Sequence, residues 1–250
     1  MYRTLDEVVA GLGALEAQFR ARGDRRCVFL TLYGVVSAEM RMRVAAGAFE
    51  DPAWVHRYAV AFANLYVEAL QAWDAGRLAA VPKAWRLCFE AARGGNTLVL
   101  QDMLLGVNAH VNNDLPLALD RISIDPDRDR RRRDHVAVNA VLAAVTDRAT
   151  ARLAALYAPG LTALDDCAGE VDEIVSAFSL EVARDSAWDS AVSLANARGA
   201  LERELTTRLV ASRAAVVARL LLAPSRSARF ITACRGVENV AGWLTMLAPS

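Results

Sequence analysis

The sequence predicts an all-α fold: a single domain over residues 1–250, built as a multi-helix bundle around a buried, proline-kinked central helix. Three observations lead there. Apolar residues recur at helical period in almost every segment, whereas β-branched alternation is nearly absent. The chain is 250 residues long and 54% hydrophobic, which supplies a sizeable core. No repeat, low-complexity tract or linker divides it.

Taken in order, Thr4 followed by Glu7 forms a capping-box pattern, and Val8, Val9, Leu12, Leu15 and Phe19 make an apolar stripe behind it. A second helix is expected over 26–46, stopped by Gly47, although "CVFLTLYGVV" within it is the best short strand candidate in the chain. Asp51-Pro52 is an acid N-cap followed by proline at N1. The helix it opens carries Trp54, Tyr58, Phe62, Leu65, Tyr66 and Leu70 and runs out near Gly76. Pro82 opens a shorter helix through Trp85 and Phe89, ended by Gly94-Gly95. A helix over 97–120 follows, then a polar connection, "SIDPDRDRRRRD". Further helices are expected over 134–157, over 169–219 with at least one break, and over 225–247.

Charge and cysteine usage narrow the function classes. The formal net charge is zero, so no global field steers the protein to nucleic acid or an anionic membrane. The run from Arg128 to Arg133 is interleaved with Asp127, Asp129 and Asp134 and has no aromatic companions, so it reads as a solvated helix start. No apolar run reaches spanning length, and the N-terminus lacks an apolar signal-peptide core. Cys27, Cys88, Cys167 and Cys234 are far apart without CxxC spacing, as expected of buried thiols in a reduced compartment. The expectation is a soluble cytoplasmic protein, with neither nucleic acid nor membrane as partner.

"GVNAHVNNDLPLALD" places Asn108, His110, Asn112, Asn113 and Asp114 inside one of the most apolar regions of the chain. A helix apolar over most of its circumference is buried, so these groups need partners, water or a ligand. His110 and Asp114 stand at i and i+4 and can meet, which fixes the imidazole's tautomer. Pro116 has no N–H to give the Asn112 carbonyl, so the helix should be disturbed there. Gly106 lies one turn before His110 and is expected to leave room beneath its ring. Gln101, Asn108 and Asn112 fall on nearly the opposite face.

"LQDMLLGVNAHVNNDLPLAL" resembles a Gln-His-Leu-Leu-leading segment, Gly-Met-Asn-Ala-His-Ile-Asn-x-Asp-Leu, of the DUF5995 family, bacterial helical proteins of uncharacterised function. Upstream, "VFLTLYGVVSAEMRMRVAAGAFEDPAWVHRYAVAFANLYVEAL" is similar to the family's Leu-Tyr, Gly-x-Phe-x-Asp and Phe-Ala-x-x-Tyr elements. "DHVAVNAVL" is similar to its Asp-Phe-x-x-x-Asn element. The resemblance covers roughly residues 28–142. It implies a site that includes Gln101, Asn108, His110, Asn112 and Asp114, with Asp51 and Tyr66 as partners, but no reaction. Asp102 stands where the family pattern has His, which alters any site that used that imidazole.

Three chemistries fit these residues. The leading expectation is a small-molecule enzyme of cyclase, isomerase or lyase type in biosynthesis, acting on a largely apolar substrate without a cofactor. His110, tuned by Asp114 or Asp102, moves a proton. Asn108 or Asn112 holds a carbonyl or enolate oxygen, Gln101 is a further substrate-binding residue, and Trp54, Tyr58, Phe62, Tyr66, Arg184 and Trp188 line the pocket. Arg184 and Trp188, at i and i+4, alternatively form a surface cation–π pair. The second expectation is a non-catalytic binding or structural protein with the same pocket. The third is a metal-dependent hydrolase using Asp102, His110 and Asp114. His110-x3-Asp114 before Pro116-Leu117 is superficially similar to zinc phospholipases C and P1-type nucleases, but the three histidines here exclude a trinuclear zinc site. Asp165, Asp166 and Glu170 faintly resemble a terpene-cyclase magnesium motif, and helix capping explains the two aspartates better.

Overall fold

The computed structural model describes residues 1–158 and 179–223, and every regular element among them is helical. In chain order these are α1 (Leu5–Ala21), α2 (Cys27–Ala45), α3 (Pro52–Asp74), a 3-10 turn (Leu78–Ala80), α4 (Lys83–Gly94) and α5 (Val99–Asn108). A π turn (Ala109–Asp114) leads into α6 (Leu115–Ile122), followed by α7 (Arg128–Tyr157), α8 (Leu180–Asn196) and α9 (Ala200–Leu222). The all-α expectation holds. The helix expected over 225–247, the aspartates Asp165 and Asp166 with Glu170, and Cys167 and Cys234 lie outside the described residues.

Local chemistry sets the ends. Thr4 Oγ1 accepts from the Glu7 N–H at 3.1 Å, and the Glu7 carboxylate reaches back to the Arg3 N–H at 2.6 Å, one residue earlier than a standard capping box. Asp51 accepts from the Trp54 N–H at 2.9 Å, with Pro52 in the first turn of α3. Gly95, at φ 65°, stops α4 in the left-handed region. Leu98 has no polar side chain to cap α5, so Gln101 Oε1 accepts the Leu98 N–H at 3.0 Å instead.

The helix expected over 26–46 is found as α2, so the strand candidate "CVFLTLYGVV" is helix throughout: Phe29 and Tyr33, at i and i+4, turn one face toward the interior while Leu30 is also buried. One expected boundary is corrected. The polar connection is only Ser123–Asp127; α7 starts at Arg128 rather than at 134, so the arginine run lies inside a helix. Its charges are spent within the fold. Arg128 pairs with Asp125, Arg132 with Asp185 and Arg133 with Glu50, while Arg131 donates to the Ser123 carbonyl. Asp134 accepts from the Glu50 and Asp51 N–H groups at 2.7 and 2.8 Å and so fixes the entrance to α3.

The α5–π–α6 segment is central, packed against α2, α3, α4, α8 and α9. One apolar core joins α1–α5 to α9 around Leu12, Leu30, Tyr66, Trp85, Phe89 and Leu105. A second joins α3, α6, α7 and α8 around Trp54, Tyr58, Leu115, Leu119 and Trp188. The π turn sits between them. It is the form taken by the disturbance expected from Pro116: where an i→i+4 bond is lost, the backbone widens over 109–114 before α6 resumes.

Candidate active site

His110 lies within the π turn and is 3% exposed. Its Nδ1 stands 3.0 Å from Asp114 Oδ2. That oxygen also accepts the Trp85 indole N–H at 2.8 Å, while Asp114 Oδ1 accepts from Asn113 Nδ2 at 2.8 Å. The carboxylate is thus held from three sides, and with it the imidazole. Phe62 stacks flat on the His110 ring, centroids 3.5 Å apart at 8°, and Tyr33 meets it edge-on at 4.5 Å. Phe29, Tyr66 and Trp85 complete an aromatic box. His110 Nε2 is buried and has no hydrogen-bond partner.

Burial lowers the His110 pKa below the ordinary imidazole value, against the raising influence of Asp114. The ring is therefore neutral at pH 7. A carboxylate oxygen only accepts, so the single proton sits on Nδ1, leaving a bare lone pair on Nε2.

His110 lines a cavity of about 310 Å³, together with Phe29, Tyr33, Ser37, Met40, Tyr58 and Phe62 from α2 and α3. Val138, Leu142, Val145, Ala149 and Leu153 of α7, Met103, Val107 and Val111 of the central segment, and Arg184 of α8 complete most of the wall. This size lies at the lower end of small-molecule sites, roughly 300–1,000 Å³. The lining is mainly apolar. Tyr33 and Ser37 are among its few polar side chains. Burial raises the Tyr33 pKa far above the ordinary phenol value, so that hydroxyl remains a donor.

The structure brings His110, Asp114, Phe62, Tyr58 and Arg184 together and separates the rest. Asp102 faces another way: its carboxylate pairs with Arg25 Nε at 2.5 Å and accepts the Thr97 hydroxyl. It therefore does not tune His110. Gln101 Nε2 donates to the Leu221 carbonyl at 2.8 Å and Asn108 Nδ2 to the Ala214 carbonyl at 2.9 Å. Asn112 donates to Asn108 Oδ1 at 2.9 Å. Gln101 and Asn108 tie the central segment to α9, Asn112 braces Asn108, and none of the three lines the cavity. Trp54, fully buried, donates to the Ser123 carbonyl at 3.0 Å, and Tyr66 packs between Phe29 and Trp85; neither lines the cavity. Nor does Trp188, and the cation over its ring is Arg132 rather than Arg184. The room expected at Gly106 is taken by the Phe29 side chain. Among the described residues no three His, Cys, Asp or Glu side chains are placed to share a metal ion.

Phe29, Tyr33, Trp85 and the α7 wall were not among the expected site residues. Phe29, Tyr33, Val36 or Ser37 and Met40 recur at helical spacing within the helix expected over 26–46, a signal that points to a shared face.

A second histidine shares the low-pKa environment. His135 Nε2 bonds the Arg184 carbonyl at 3.1 Å, and burial, followed by the Arg184 charge, lowers its pKa to about 2. For both rings the folded pKa lies below the unfolded one. The unfolded chain therefore takes up protons first as pH falls through about 6.5. Their contribution to stability is whole above that pH and is lost progressively below it. Denaturant unfolding should lose up to about 1.4 kcal/mol per pH unit from His135 between roughly pH 6 and pH 4, with His110 adding in the same direction. His135→Gln should show a shallower acid slope than wild type; an unchanged slope contradicts the neutral-ring assignment.

The fold and site define a class: a helical-bundle protein with a buried Asp–His pair beside a mainly apolar cavity. The chain belongs to the DUF5995 family, described as a family of unknown function, whose match spans residues 5–224 and so extends well beyond the segment in which the resemblance is visible by eye. No curated protein and no solved structure is significantly similar to it. No helix among the described residues is long and apolar enough to cross a membrane.

Proposed function

We propose that the cavity binds a small, largely apolar molecule and that His110 moves a proton on it, as a cyclase, isomerase or lyase would require. The observation that carries this reading is the bare, buried Nε2 of a neutral imidazole whose other nitrogen is held by Asp114. A base needs a free lone pair at working pH and a fixed orientation, and this ring has both. Asp114 stabilises the imidazolium once the proton arrives, and Trp85 and Asn113 keep Asp114 in place. The Tyr33 hydroxyl supplies a donor for a carbonyl or enolate oxygen. Phe62 turns aside for substrate to reach Nε2, since its ring covers the imidazole.

That same Phe62 stack favours a second reading, binding without turnover. Heavy water separates the two. Wild-type protein and His110→Asn are incubated in it with a small-molecule extract of the producing cells. Proton transfer to carbon leaves deuterium in a product, which mass spectrometry detects. The enzyme reading expects labelling by wild type and none by the variant, with both folded. Retention of a small molecule by both proteins with no labelling by either supports binding alone.

A further inference from the structure

Arg184 is a buried charge on the wall of the cavity. It is 3% exposed, yet no carboxylate lies within ion-pair distance of it among the described residues. All its partners are neutral. Nε donates to Asn139 Oδ1 at 2.6 Å, Nη1 to the Tyr58 hydroxyl at 3.3 Å and Nη2 to the His135 carbonyl at 2.5 Å. A guanidinium has five N–H donors, so two are uncommitted here. Arginine does not shed its charge in proteins, and a buried charge without a counter-charge is strongly disfavoured. Other arginines differ in partner or place: Arg132 pairs with Asp185 and Arg25 with Asp102, while Arg131, 9% exposed and held on the Ser123 and Asp125 carbonyls, does not line the cavity. His135 cannot compensate Arg184, because it is neutral and carries no negative charge.

Three clamps on neutral acceptors fix the fork without neutralising it, which is how an anion site is preorganised. The rest of the wall is mainly aliphatic and aromatic, with the hydroxyls of Ser37, Thr146 and Thr150, and offers no second cation. From this cavity we infer that its ligand is an apolar molecule bearing one carboxylate, the acid group paired with Arg184 and the hydrocarbon body lying along α7 toward the aromatic box around His110. This deepens the small-molecule reading above and rests on it.

The test uses decanoate and its uncharged counterpart, methyl decanoate, with the full chain. Binding of each is measured by calorimetry to wild type, Arg184→Gln and Arg184→Lys. The expected result is that wild type prefers the acid by about tenfold or more. Arg184→Gln should lose that preference while still binding the ester, and Arg184→Lys, which keeps the charge without the fork, should retain part of it. Equal affinity of wild type for acid and ester overturns the anion anchor and leaves the cavity reading standing, a comparison that needs no variant to fold. No binding of either probe to wild type overturns both.

Discussion

Asp114→Ala should lower stability by about 3–5 kcal/mol, the cost of leaving several buried donors without their shared acceptor. The loss follows from geometry. Asp114 is the acceptor for the Trp85 indole N–H, for Asn113 Nδ2 and for the proton on His110 Nδ1, all of them buried. Alanine strands three donors at once, each costing about 1–3 kcal/mol if nothing replaces the acceptor, though not additively. For a chain of this size the melting temperature should fall by roughly 10 °C or more. Asp114→Asn keeps one acceptor oxygen and should cost less. Thermal and urea unfolding of the two variants measure the difference. A loss under about 1 kcal/mol for alanine means that the carboxylate is not the hub drawn here.

Gly106→Ala should be destabilising by about 1–3 kcal/mol or more, with the opposite sign to the usual effect of this change in a helix. A Cβ at 106 would stand 2.5 Å from Phe29 Cγ and 2.6 Å from Phe29 Cβ. A ring can rotate away, but Phe29 Cβ is fixed to the backbone of α2. The clash is therefore relieved only by spreading α2 from α5, which disturbs the box in which Phe29 packs on Trp85, Tyr66 and His110. Gly13→Ala is the internal control. It sits in the exposed middle of α1 with nothing near its Cβ, and should stabilise by about 0.5–1 kcal/mol. If both substitutions stabilise, the close approach of α2 and α5 is wrong.

Much of the fold was legible because its signals are local. Thr4, Asp51-Pro52, Pro82 and Gly95 punctuate helices through bonds that span a few residues, and the structure places the ends within a residue or two of them. The His110–Asp114 contact was legible for the same reason. The sorting of the other polar residues was not. A wheel of regular helical positions groups Asp102 near His110, but Asp102 answers to Arg25, 77 residues earlier in the chain. Asn108 and Gln101 answer to carbonyls on α9 more than 100 residues away. Nothing in a single segment encodes such partners. The π turn adds a further obstacle, since helical periodicity drawn through 109–114 assumes a regular pitch that Pro116 removes. Arg184 is the mixed case: its place at the pocket was readable as an expectation, whereas its lack of a counter-charge is a property of the assembled wall.

The proposed chemistry requires one protonation state of one ring, a neutral imidazole with its proton on Nδ1 and Nε2 bare. Nitrogen NMR of histidine-labelled protein at neutral pH reads this directly. The predicted spectrum has, for His110, a protonated Nδ1 and an unprotonated, pyridine-like Nε2, a state that persists below the pH at which free imidazole charges. A His110 signal with both nitrogens protonated, or with the proton on Nε2, contradicts the claim that this chain holds a ready base beside its cavity.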